Sequence, residues 1–370
     1  MRKVKIGFVP LHREPFDEDW AIELRKRFIK TLSEVENITL LYPSENLTKN
    51  GLVRNDEDAD KVVRLFKAEG VEGLILGTMT FGDEVAGARI ADSLRIPVMV
   101  FATKEPTISP EGFRKSDSFC GTLSLTSALY RRELPFKFLG IVFPEDELFL
   151  KAVNAFARTC AIVSGFKWAN IGLIGPRPER FETCTFNEAE MLRHFSQKVV
   201  PVDLSQVVLL VNSLSDSDPD VVKTVQEINK YVISSEVPPE KLKLIAKVET
   251  VLRRIFRDKR LSAAGVRCWV EFQHIYGIAV CHILGRLTDS GMLCACESDI
   301  YGALTMLIQY LASLETTPPH FVDWTISHPE KDNLVLMWHC GNAPPSLVCP
   351  GCAINLRYHS ILFRDVGVER

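Results

Sequence analysis

The sequence predicts an α/β fold: two doubly wound parallel-sheet (Rossmann-like) domains. Two observations carry this. Short apolar runs closed by turn residues alternate with segments of helical period, and strands separated by helices of about 10–15 residues imply crossover units and a parallel sheet. The chain also has 370 residues, more than a single core usually organises.

"VKIGFVPL" is the first apolar run, closed by Pro10. Trp20, Leu24, Phe28 and Leu32 repeat at spacing four, which predicts a helix over 17–35. "NITLLYP", a helix over 56–69, "VEGLILGTMTFGD", a helix over 83–94 and "IPVMVFAT" continue the alternation. "SDSFCGTLSLTSALYRREL" reads as a helix and "FLGIVFPED" as the next strand, ending a domain over 1–165. A second domain, 166–348, opens with "ANIGLIGPRPERF", where Gly172, Gly175 and Pro176 mark a tight turn. That spacing is not a GxGxxG fingerprint, so it predicts no dinucleotide site. The segment 216–264 reads as mostly helical, and 349–370 as the start of a third domain.

Composition narrows the function. A net charge of −3 gives no general attraction to nucleic acid or anionic membrane. No apolar run approaches the 18 or so residues of a membrane span. The apolar stretch of "MRKVKIGFVPLHREP" is too short for a signal peptide, so the expected location is cytoplasmic. The 10 cysteines fall mostly in apolar segments and are expected to be reduced core thiols. Cys349-x-x-Cys352 has the spacing of half a zinc site or a redox pair, without a second CxxC at zinc-ribbon distance.

The informative stretch is 265–345. "GVRCWVEF" alternates as a strand ending on Glu271. Residues 274–289 read as a helix, and "MLCAC" as a strand ending in Glu297-Ser298-Asp299. "HFVDW" and "NLVLMW" read as two further strands, the second buried and delivering His339. In a right-handed parallel crossover all strands present their C-terminal ends on one edge, where open α/β sheets bind ligands. If the strands are neighbours, Glu271, Asp299 and His339 collect there. Two like charges held close raise each other's pKa unless a cation sits between them. Carboxylates with one imidazole favour manganese or a similar ion. Singly, Glu271 reads equally as a strand-edge charge, Asp299 as a helix cap and His339 as a hydrogen-bonded core residue.

The sequence also resembles the L-fucose isomerase and L-arabinose isomerase family, in its fucose-isomerase-like branch. The likeness rests on "GTLSLTSALYRRELPF", "RPERFETCTFNEAEML", "RCWVEF", "CESDIYGALTMLIQYL" and "VDWTISHPEKDNLVLMWHCGNAPP". It implies a metal-dependent aldose–ketose isomerase, usually using Mn²⁺, that acts on a pentose or 6-deoxyhexose. By position, Glu271 and Asp299 match the metal-binding acid/base pair and His339 the first ligating histidine. Arg177, Glu182 and Asn187 lie in family-like sequence, with helix capping and surface pairing as the ordinary alternatives. Trp269 and Trp338 flank two ligands and read as core packing. Members of the family form trimers or hexamers, so a homo-oligomer is expected by analogy. They also carry a further, largely β domain that supplies the last ligating histidine. The chain stops at "LRYHSILFRDVGVER", where that domain should begin. His359 is a poor substitute for the missing ligand, since "LRYHSILF" reads as a strand. The competing reading is a sugar-binding or regulatory module on the isomerase scaffold, without turnover.

Overall fold

The computed structural model describes residues 1–106, 112 and 114–359. The chain divides into two compact units, Met1–Ser164 and Gly165–Arg370. The fold is α/β with parallel sheets, as the alternation of elements predicts.

The first unit runs β1 (Val4–Leu11), α1 (Glu18–Ser33), β2 (Ile38–Leu41), α2 (Asp56–Glu69), β3 (Gly73–Thr78), α3 (Glu84–Leu94), β4 (Val98–Thr103), α4 (Ser118–Tyr130), β5 (Lys137–Val142) and α5 (Glu147–Phe166). The five strands form one parallel sheet in the order β2-β1-β3-β4-β5. β3 and β4 are buried along their whole length, which is why they read as unbroken apolar runs. Asp17, Asn55 and Asp83 start three helices, each accepting a hydrogen bond from an amide three residues on. Phe28 of α1 packs on Phe8, Phe101 and Phe149, tying helix and sheet together. α5 is long and apolar enough to cross a membrane by length and composition alone. It buries Phe149, Val153, Phe156, Ala157, Cys160 and Ala161, as the core helix of a folded domain does.

The second unit runs β6 (Asn170–Ile174), α6 (Glu188–Phe195), β7 (Lys198–Val202), α7 (Leu204–Ser213), α8 (Pro219–Tyr231), β8 (Val232–Ser235), α9 (Pro239–Asp258), β9 (Ala263–Val266), α10 (Glu271–Tyr276), α11 (Cys281–Asp289), β10 (Leu293–Ala295), α12 (Ile300–Ala312), β11 (Asp323–Ser327), β12 (Val335–Trp338) and β13 (Ile354–Leu356). Its main sheet is parallel, in the order β10-β9-β6-β7.

Four local readings change. β9 stops at Val266, because the Arg267 side chain bonds the Trp269 carbonyl and folds the "RCWVE" stretch into a turn. The helix expected over 274–289 is two helices, since Gly277 takes a left-handed conformation (φ 63°) and ends α10. β11 and β12 form a separate antiparallel hairpin, closed by the His328 amide on the Leu334 carbonyl. The apolar run of β12 is largely exposed, not buried. "HPEKDN" between the two strands carries the proline and Asx residues of a hairpin turn. Finally, Cys349 and Cys352 join in a disulfide, their Cα atoms 5.4 Å apart within one turn. Seven of the eight remaining cysteines are buried or half-buried, as expected of core thiols. The second half of the strand expected in "LRYHSILF" lies outside the described residues; β13 ends on its first residue, Leu356, and pairs with β8.

A candidate active-site crevice beyond β6, β9 and β10

The C-terminal ends of three adjacent parallel strands converge in the second unit. Beyond β6, Gly175 turns the chain at φ 78°, and Pro176 and Arg177 follow. Beyond β9 comes Arg267, and beyond β10 come Cys296, Glu297, Ser298 and Asp299. The loops interlock through polar contacts. Ser298 Oγ donates to the carbonyls of Gly175 (3.1 Å) and Pro176 (3.3 Å). The Ser298 amide donates to the Val266 carbonyl. Gly265 of β9 permits this approach, because a Cβ there would sit 2.6 Å from the Ser298 carbonyl carbon. Glu297 and Ser298 both take positive φ (57° and 58°), a costly conformation for residues with a side chain.

Glu271 is the first residue of α10. Arg267 grips it with two hydrogen bonds, Nη2 to Oε1 (2.6 Å) and Nε to Oε2 (2.8 Å). The same guanidinium donates to the carbonyl of Arg177 (3.0 Å), so Glu271 is oriented from the β6 loop as well. Asp299 caps α12, its Oδ1 accepting from the Gly302 amide at 2.8 Å. Burial pushes the Cys184 thiol up to about 11, and the charges of Asp299 and Glu297 push it the same way. Those two acids therefore face the segment that follows β6.

His339 follows the hairpin and is buried against Phe321, ring centroids 5.7 Å apart. Its Nδ1 accepts from the Cys340 amide (2.9 Å). Its Nε2 is buried without a hydrogen-bond partner among the described residues, 3.9 Å from Asp323 Oδ2. Burial disfavours the imidazolium, but Cys340, Asp323 and Glu297 outweigh it and raise the His339 pKa. Glu297 is raised too, by burial first and then by Asp323 and Cys340, against the pull of His339 and of Trp269. The turn that carries His339 is seated on the same strand end. Asn342 Nδ2 lies 3.5 Å from the Cys296 sulfur, and a Cβ at Gly285 of α11 would stand 2.5 Å from the Ala343 carbonyl oxygen.

Glu271 and Asp299 thus stand beyond adjacent strands, as the topology argument expects. The acids that act on His339 are Glu297 and Asp323. Among the described residues, the three metal-ligating side chains that lie within 4.8 Å of one another are Cys281, Cys340 and His359, a set without Glu271, Asp299 or His339. The sequence signal for Glu297 is its place in "CESD", two residues before Asp299; the left-handed backbone at Glu297 and Ser298 left no mark in the sequence pattern. Of the secondary candidates, Asn187 caps α6 and Arg177 serves through its carbonyl. Glu182 lies in a short turn of helix, and Trp269 packs edge-on against Phe181.

Residues 7–167 match the sequence family described as fucose/sulfoquinovose isomerase, N-terminal domain. That match places the first unit's sequence with the fucose isomerase-like proteins. The chain is 27% identical to a sulfoquinovose isomerase of Alkalicoccus urumqiensis over 92% of the chain and 73% of that protein. It is 24% identical to a sulfoquinovose isomerase of Priestia megaterium over 97% of the chain and 77% of that protein. Among solved structures, a periplasmic solute-binding protein of Actinobacillus succinogenes 130z with bound D-allose aligns at 10% identity. The alignment covers 87% of this chain and 96% of that one, with a TM-score of 0.21. The alignments with these relatives run across both units, including the crevice.

Proposed function

We propose that this chain is a sugar aldose–ketose isomerase working in the crevice beyond β9 and β10, with a divalent cation. The observation that supports it is the pairing of two things: sulfoquinovose isomerase relatives aligned over nearly the whole chain, and acids from adjacent strand ends gathered on one crevice. The substrate is an aldose of the sulfoquinovose or 6-deoxyhexose kind, with pentoses as the further class.

Interconverting an aldose and a ketose moves a proton between C2 and C1 while carbonyl and hydroxyl change places. That needs one group to take the C2 proton and one to return it. Glu271 is the base, held in one orientation by both arms of the Arg267 guanidinium. Asp299, fixed as a helix cap, is its partner in the exchange. Glu297, a partly buried acid beside them whose pKa burial raises, supplies a proton to the sugar oxygen side. The donor types suit an oxygen-preferring ion, and the buried, unpartnered Nε2 of His339 is the kind of atom such an ion satisfies. Glu271, Asp299 and His339 would hold it, and when bound it would polarise the sugar carbonyl and stabilise developing negative charge. Manganese is the expected ion.

The test is ketose formation by the purified chain from sulfoquinovose, 6-deoxyhexoses and pentoses, with manganese present or chelated. Manganese-dependent conversion of at least one sugar supports the proposal. Saturable sugar binding without conversion overturns it in favour of a binding module.

A further inference from the structure

Beside the crevice, three side chains from distant parts of the second unit meet. Cys281 opens α11, Cys340 follows β12 and His359 follows β13. Cys281 Sγ and Cys340 Sγ are 3.4 Å apart, and one ring nitrogen of His359 lies within 4.8 Å of both. Cys281 and His359 are buried, and Cys340 is half-buried. Zinc–sulfur and zinc–nitrogen bonds of about 2.3 and 2.0 Å place tetrahedral ligands about 3.5–3.8 Å from each other. The cluster is already near that spacing. We propose that Cys281, Cys340 and His359 form a binding site for a soft divalent cation of the zinc type, separate from the oxygen-rich crevice.

The chemistry separates this site from the isomerase ion. Thiolates select zinc-like cations, whereas carboxylates suit manganese. The connectivity also suits a structural ion. Cys281 and Cys340 are 59 residues apart, so one ion would clip the His339 turn and the chain after β13 to α11. Two further buried thiols, Cys268 and Cys296, lie hydrogen-bonded to each other nearby and provide an internal control. The reduced Cys349–Cys352 pair provides another.

The experiment titrates the full chain, metal-free and reduced, with cobalt(II) and then zinc. The expected result is thiolate-to-cobalt charge-transfer absorption that saturates at one equivalent and is displaced by zinc. Cys340→Ser should abolish the band, and His359→Gln should weaken cobalt binding by more than about tenfold. The double variant Cys349→Ser, Cys352→Ser and the variant Glu271→Gln should both keep it, so the outcome does not depend on isomerase activity. Alkylation of the unmodified chain needs no variant to fold: zinc should protect Cys281 and Cys340 together. Absence of the band, its survival in Cys340→Ser, or its loss on removing Cys349 and Cys352 would each overturn the proposal. So would recovery of Cys281 and Cys340 as a disulfide that zinc does not prevent.

Discussion

His12 stands at the end of the first strand's reach, fully buried, with Nδ1 on the Thr80 hydroxyl at 2.8 Å and Nε2 unpartnered among the described residues. Burial, then the Arg54 charge, lowers its pKa to about 4, against the opposing pull of Glu18 and Glu14. The unfolded chain takes up this proton near pH 6.5, while the folded chain resists it until about pH 4. Stability is therefore undiminished above pH 6.5 and falls as pH drops through that window, by about 3 kcal/mol in all. Denaturant unfolding at pH 7 and pH 4.5 should differ accordingly, and His12→Gln should flatten the difference. His282, lowered to about 3 by burial and then by Arg286, adds to the same trend. Fully buried Glu249 offers a second residue-scale test. Arg286 Nε (2.7 Å) and Arg253 Nε and Nη2 satisfy its two oxygens. Arg286→Met should cost about 3–5 kcal/mol in denaturant unfolding by stranding a buried charge, and adding Glu249→Leu should recover much of that. Neither network was legible in sequence, because "CHILGRL" and "VETVLRR" look like ordinary helix segments. The placement of Glu271 and Asp299 beyond adjacent strand ends was legible, because acids just past apolar runs carry positional meaning in a parallel sheet. Glu297 was not.

At the scale of elements, the turn carrying His339 depends on a glycine in a helix. Gly285 lies inside α11, where glycine is normally unfavourable, and its missing Cβ makes room for the Ala343 carbonyl. Gly285→Ala should push the 339–343 turn away from the crevice. The expected cost is about 1–3 kcal/mol of stability and on the order of 100-fold in turnover, read from unfolding curves and kcat together. A variant with normal turnover would show that the turn does not position the site. Elements were legible where pattern and packing agree. In the first unit, continuous apolar strands and capped amphipathic helices point the same way. They were misread where one side chain overrides a pattern. Arg267 folds an alternating stretch into a turn, and Gly277 splits a helix that the period alone would continue. The exposed hairpin was read as buried because apolar content was taken for burial, while the turn residues of "HPEKDN" carried the better signal.

For the molecule as a whole, the parallel α/β class followed from alternation alone, while the family followed from short motifs such as "CESDIYGA" and "HCGNAP" that no periodicity argument would single out. Parallel topology explains why residues 271 and 299 share an edge. It does not explain His339, which arrives on an antiparallel hairpin and is placed by the seating of its turn on α11 and on Cys296. In the proposed cation-dependent isomerisation, Glu271, held by Arg267, takes the proton from the sugar. The most direct measurement is ketose formation from sulfoquinovose and the sugar panel, comparing the unmodified chain with Glu271→Gln, with manganese and after chelation. The expected result is manganese-dependent conversion by the unmodified chain and a folded Glu271→Gln variant with turnover lost by several orders of magnitude. Undiminished conversion by Glu271→Gln, or conversion that chelation leaves untouched, would contradict it.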